Sequence, residues 1–168
     1  NADITDISIK SDEVSCAVMK DGGDDPDVTT GCLVCAEVSL TKEKNKINID
    51  GGKGVGRVTK PGLDQPVGAA AINHVPRLMI EKEVREICDE ADYIGGLDIV
   101  IFVPDGEEIA KKTFNEKLGI IGGISIIGTS GIVEPMSEQA LVDTIEVEMR
   151  QKAASSEDLI ITPGNYGE

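Results

Sequence analysis

Aromatic residues are nearly absent: the chain has no tryptophan, two phenylalanines and two tyrosines among 168 residues. A core without rings must be filled by Ile, Val, Leu and Ala, the make-up of an α/β protein. A surface without rings also lacks the stacking platforms on which single-stranded nucleic acid binds. Positive charge is scarce as well. Sixteen Lys and Arg stand against 31 Asp and Glu, a formal charge of −15, so no nucleic acid or anionic membrane is expected as a partner through a general electrostatic field. Long apolar runs are missing, and no signal-peptide pattern is present, which makes the cytoplasm the expected location. Histidine occurs once, at His74.

Cysteine is sparse, with four residues. Cys32 and Cys35 have redox or zinc spacing, but they lie in CLVCAEVSL, which reads as a strand, where residues three apart point to opposite faces. A zinc site would need a second ligand pair, and none is visible, so no metal ligand set is expected. Both thiols are expected to be buried small hydrophobes.

What is present reads as a mixed α/β fold, a mixed sheet with helices on one face. Strands are expected at 3–10, 14–20, 32–40, 47–50, 97–103, 120–127 and 158–162. The third and fourth should form a pair around the turn TKEKNK, and 97–103 should be buried on both faces. Amphipathic spacing predicts a helix over 76–91; shorter signals predict helices over 106–113 and 137–152, the latter capped by Ser137. The chain opens on Asn1 rather than Met, and ITPGNYGE follows directly on a strand-like segment. The expected organisation is therefore a main domain over 1–157, and the first strand and loop of a second α/β domain over 158–168, within a longer protein.

The loops are more informative than the elements. Residues 21–29 gather four carboxylates, including Asp24 and Asp25, with two glycines; this is either a solvated turn or a site for a cation or a ribose diol. GGKGVGRVTKPG, from Gly51, matches neither the P-loop nor the dinucleotide pattern, but its glycines would let backbone amides approach an anion. Between residues 51 and 80 the acidic chain turns basic, with Lys53, Arg57, Lys60 and Arg77 against Asp64 alone. These cations either face an anionic small molecule or form surface salt bridges. GTSGIVEPMS follows an apolar run, where Thr129, Ser130 and Glu134 either meet a ligand beyond a strand end or cap the next helix.

Five blocks carry a family resemblance: GGDDPDVT, GGKGVGRVTKPGL, AINHVPR, VPDGEEIAKKTFNEKLGIIGGISIIGTSGIVEPMSEQAL and PGNYGE. In this order and at these separations they resemble the CbiD family, the cobalt-precorrin-5B (C-1)-methyltransferases of anaerobic cobalamin synthesis. His74 departs from the pattern, standing where the family has proline. A Gly-Tyr-Thr-Thr-Gly segment and a C-terminal domain of the family would lie outside this chain.

The resemblance implies transfer of a methyl group from S-adenosylmethionine to a ring carbon of a tetrapyrrole bearing acetate and propionate arms, with cobalt arriving only as part of that substrate. Set beside this chemistry, the position of GTSGIVE and PGNYG after strand-like segments points to Glu134 and Ser130 for catalysis, and to Thr129, Gly164, Asn165, Tyr166 and Gly167 for the cofactor. Asp24, Asp25, Gly54, Gly56, Arg57, Lys60 and Arg77 are assigned to the substrate. The acidic, glycine-rich and GTSG loops are expected to converge on one concave face. Loss of Arg57 or Arg77 is expected to weaken substrate binding without harming the fold. A glycine-loop phosphotransferase and a non-catalytic assembly module are the alternatives from other classes. The oligomeric state is left open.

Overall fold

A computed structural model describes residues 3–24, 27–128, 138–154, 156, 158 and 160. In chain order its elements are β1 (Ile4–Ile9), β2 (Glu13–Met19), β3 (Leu33–Thr41), β4 (Ile47–Gly51), β5 (Gly54–Val55), β6 (Arg57–Val58), α1 (His74–Glu90), β7 (Gly96–Phe102), α2 (Gly106–Ala110), α3 (Asn115–Leu118), β8 (Ile120–Ile121), β9 (Gly123–Ile124) and α4 (Glu138–Ala153).

The mixed α/β expectation holds. Five strands form one sheet in the order β1-β2-β3-β7-β4, antiparallel from β1 to β7, with β4 parallel to β7. The expected pairing of the third and fourth strands is corrected, because β7 lies between them. TKEKNK is therefore no hairpin turn: Lys46 lies beside Leu97, where the Leu97 amide donates to the Lys46 carbonyl. Strand β4 returns to its parallel neighbour through α1, as a parallel pair requires.

Register explains the core. Ile99 pairs with Val38 on one side and Ile49 on the other, and Ile101 with Ala36 and Gly51. One face of the sheet thus carries a band of aliphatics, against which Ile80 and Val84 of α1, spaced four apart on one side of the helix, are packed. Val55, Ala70, Ile72 and Ile124 close over the same band. Each large aliphatic buried here contributes about 1.5–3 kcal/mol. On the opposite face of β7, Asp98 is exposed and Val100 and Phe102 are half-buried. The expectation that this strand is covered on both faces is therefore corrected.

The apolar run at 120–127 does not form one strand. Gly122 has φ +83°, and the two pieces on either side of it choose different partners: β8 pairs with β6 and β9 with β5. Helix α2 is shorter than expected, and α3 gives no periodic signal because it has only four residues. Helix α1 begins two residues early, where the Asp64 carboxylate accepts from the His74 amide at 2.7 Å and meets the His74 Nδ1 at 2.8 Å. This ties the lone histidine to a loop carboxylate at an exposed helix start.

Candidate functional site

Strand pairing brings several polar loops to one end of the sheet. Met19 is opposite Leu33, Cys35 is opposite Phe102, and Gly51 is beside Ile101. The acidic loop after β2, the glycine loop after β4 and the turn after β7 therefore leave the sheet at the same edge, beyond the carboxyl ends of its parallel strands. A fourth segment joins them through Ile126, which bridges to Ile72 and accepts from the Asn73 amide at 3.0 Å at the start of α1. Thr129, Ser130 and Glu134 follow that segment but lie outside the described residues, as do Asp25, Gly164, Asn165, Tyr166 and Gly167.

The acidic loop has internal order. Lys20 reaches the carboxylate of Asp27 and the hydroxyl of Thr29, while the Asp27 carboxylate accepts from the Thr29 amide at 2.9 Å. Burial pushes the Asp27 carboxyl upward, but the hydrogen bonds from Lys20 and Thr29 outweigh it and hold the pKa below the usual value. Asp24 is exposed. Cys32 and Cys35, at the start of β3, are buried and reduced, and desolvation raises the pKa of both thiols.

The glycine loop is filled by protein. A Cβ on Gly54 would lie 1.9 Å from the Val103 carbonyl oxygen, and one on Gly56 would lie 2.4 Å from Ile120 Cγ2. The amides of Gly52, Val55 and Gly56 donate to the carbonyls of Ile101, Gly52 and Ile124. Small residues here let three backbone segments pack against one another, so Gly54 and Gly56 shape the sheet end rather than cradle an anion with these amides.

The two arginines differ in their surroundings. Arg57 forms a two-pronged pair with Asp50, at 2.6 and 3.0 Å, and also donates to the Gly51 carbonyl. Its side chain keeps 43% of its surface in solvent, leaving an edge for another anion. Arg77 is instead turned inward: Nε donates to the Ile72 carbonyl at 2.8 Å, Nη1 to Ile49 at 2.6 Å and Nη2 to Ala70 at 3.4 Å. It staples the segment before α1 to strand β4. Lys60 belongs to the same basic window, its Nζ donating to the Lys117 carbonyl at 3.1 Å.

The Arg57 hydrogen bond holds the Asp50 carboxyl below its ordinary pKa, with partial burial opposing. A group whose folded pKa is depressed stabilises fully above the unfolded value, about 3.9, and that contribution is lost as the pH falls through the folded value. Asp50→Asn is therefore expected to cost under about 1 kcal/mol at neutral pH, the pair being half exposed. The difference from wild type should shrink as the pH falls below the unfolded value, about 3.9, and on through the folded one. Urea unfolding at pH 7 and pH 3 checks this, and a pH-independent loss would contradict it.

Two features were not legible as site residues in the sequence. Phe114 is 71% exposed, and Lys117 stands over its ring at 5.3 Å from the centroid. A small cleft of about 200 Å³ lies beside this turn, lined by Glu107, Lys111, Glu116 and Gly122 among others. It falls below the several hundred cubic ångströms usual for a pocket enclosing an organic ligand.

Comparison with known proteins gives a consistent picture. A family model described as CbiD matches residues 1–135. A cobalt-precorrin-5B C(1)-methyltransferase of Ruminiclostridium cellulolyticum is 54% identical over 168 residues, covering 99% of this chain and 43% of the relative. The protein of the same name from Clostridium perfringens strain 13 is 50% identical, covering 100% of this chain and 45% of the relative. A crystal structure of the cobalamin biosynthesis protein cbiD from Archaeoglobus fulgidus superposes with a TM-score of 0.55 at 31% identity, over 86% of this chain and 45% of that one. The chain thus spans less than half the length of the curated relatives it matches.

Proposed function

The chain belongs to the CbiD family, and from that premise we propose that it forms part of an S-adenosylmethionine-dependent enzyme that methylates cobalt-precorrin-5B at ring carbon 1, in the cytoplasm. The supporting observation is the 54% identity that runs along 99% of the chain to a relative bearing that enzyme's name.

S-adenosylmethionine would supply an electrophilic methyl group. The electron-rich carbon belongs to the tetrapyrrole, so the protein's task is to align the two, the kind of catalysis that proximity and orientation provide. The closed backbone around Gly54 and Gly56 does not fit a nucleoside cofactor. We therefore assign the cofactor to Thr129, Gly164, Asn165, Tyr166 and Gly167. Ser130 would orient a substrate carboxylate, and Glu134 would take up the proton lost at the methylated carbon. Asp24 and Asp25 would hold polar groups at the rim.

The tetrapyrrole's acid arms call for cations. Arg57, through its solvent edge, and Lys60 are the proposed partners, while Arg77 positions the segment between them and α1. The phosphotransferase alternative loses its support, because three of the amides that would hold a phosphate already donate to protein carbonyls.

The test is methyl transfer from labelled S-adenosylmethionine to cobalt-precorrin-5B. A protein extended to the length of the curated relatives is expected to turn over, and the 168-residue chain alone is not. Absence of transfer by the extended protein would refute the activity. Turnover by the 168-residue chain would show that the proposed site needs nothing beyond it.

A further inference from the structure

Resting on the tetrapyrrole reading above, we propose that Phe114, Lys117 and Lys60 form a recognition patch for a face of the macrocycle, with the ring stacked on Phe114 and its acid arms on the two ammonium groups.

The turn that carries Phe114 is built to present it outward. Its neighbour Asn115 is 7% exposed and is held inside, its Nδ2 donating to the Gly123 carbonyl at 3.1 Å and its Oδ1 accepting from Ser125 at 3.4 Å. The Asn115 amide donates to the Thr113 hydroxyl at 3.2 Å, and that hydroxyl donates to the Ala110 carbonyl at 2.8 Å. With residue 115 committed to the interior and the chain fixed on both sides, the phenyl ring has water on most of its surface. In a chain with four aromatic rings in all, leaving one of them exposed forfeits burial energy that a packed position would recover.

Cations come to this turn from two segments. Lys117 lies one helical turn beyond Phe114, in cation–π position. Lys60 reaches the same turn, its Nζ donating to the Lys117 carbonyl at 3.1 Å: β6 pairs with β8, and the Thr59 amide and hydroxyl both donate to the Gly119 carbonyl, at 2.7 and 2.8 Å. Gly119 has φ +83°, and a Cβ there would lie 2.5 Å from Lys60 Cγ, so glycine makes room for the lysine stem. Among the described residues neither Lys60 nor Lys117 has a carboxylate within 4 Å, although the chain carries an excess of acid. Glu116 falls on the other side of the turn, where it lines the small cleft with Glu107. An aromatic face beside two ammonium groups that no carboxylate neutralises suits a conjugated ring with carboxylate arms, and suits neither a neutral apolar ligand nor a cation.

The test uses the protein extended to the length of its relatives, with uroporphyrin, a macrocycle with eight carboxylates, as the probe for the ring and S-adenosylhomocysteine as the probe for the cofactor site. Phe114→Ala is expected to weaken uroporphyrin binding about tenfold with an unchanged salt dependence. The double variant Lys60→Gln/Lys117→Gln is expected to weaken it by a similar factor and to flatten the salt dependence. Neither should alter S-adenosylhomocysteine affinity or the melting temperature. Wild-type affinity for uroporphyrin in both variants overturns the patch and leaves the methyltransferase reading standing, provided the wild type binds both probes. A fall in melting temperature with unchanged uroporphyrin affinity marks Phe114 as a packing residue and also overturns the patch. No uroporphyrin binding by the wild type overturns the patch, while methyl transfer to cobalt-precorrin-5B by the same protein decides the methyltransferase reading separately.

Discussion

Gly54→Ala is expected to cost at least about 4 kcal/mol, enough to abolish soluble expression of a protein of ordinary stability. Two effects combine. The residue has φ +75°, which L side chains rarely adopt, and its Cβ would lie 1.9 Å from the Val103 carbonyl oxygen and 3.0 Å from the Gly106 nitrogen. Those atoms are backbone, so no side chain can rotate away, and β5 would have to leave its pairing with β9. Gly68→Ala separates the two effects: its φ is +91° but nothing lies within 4 Å of the added carbon. That variant should fold, with a loss of about 1 kcal/mol from backbone strain alone. Soluble yield and urea midpoints of the pair check the prediction. Equal behaviour of the two variants would contradict it.

Arg77→Ala is expected to destabilise the protein by about 3 kcal/mol, a drop of roughly 6–12 °C in melting temperature for a chain of this size. The guanidinium donates to the carbonyls of Ile49, Ile72 and Ala70, and both Ile72 and Ala70 are fully buried. Alanine would remove a charge-assisted donor and take from the buried Ile72 carbonyl the hydrogen bond that Arg77 gives it, while Ala70 keeps the Ile72 amide. Arg77→Lys should recover little, because one ammonium group cannot reproduce the planar fork that meets three acceptors in different directions. A stable Arg77→Ala variant whose only defect is weaker tetrapyrrole binding would restore the direct-contact reading. Arg57→Ala is the comparison, since Arg57 is half exposed and pairs with a half-exposed Asp50; its structural cost should stay near 1 kcal/mol.

The contrast between these arginines shows where reading the sequence stops. Both stand in the one basic window of an acidic chain, and composition treats them alike. Arg57 opens β6, where the Asp50 carboxylate meets its guanidinium with two hydrogen bonds, whereas Arg77 sits in the first turn of α1, close to the carbonyls where β4 and the 70–72 segment meet. Which acceptors surround a guanidinium depends on strands that are distant in sequence. The same holds for Phe114 and Lys60, separated by more than fifty positions and brought to one turn by the pairing of β6 with β8.

The sequence by itself determined the family, through ordered blocks too specific to recur by chance, and the fold class, through apolar periodicity and the near absence of rings. It also located β1 to β4, α1, β7 and α4, because each is long enough for its pattern to show, and placed Cys32 and Cys35 inside as buried thiols. Tertiary structure alone decided that β7 enters between β3 and β4, since parallel and antiparallel partners draw on the same aliphatic alphabet. It decided that the apolar run at 120–127 breaks at Gly122 into two strands with separate partners, because hydrogen-bond geometry and not hydrophobicity selects them. It also decided that the glycines at 54 and 56 hold backbone against backbone. Glycine is required wherever something approaches closely, and only the three-dimensional packing shows whether that neighbour is a ligand or the protein's own chain.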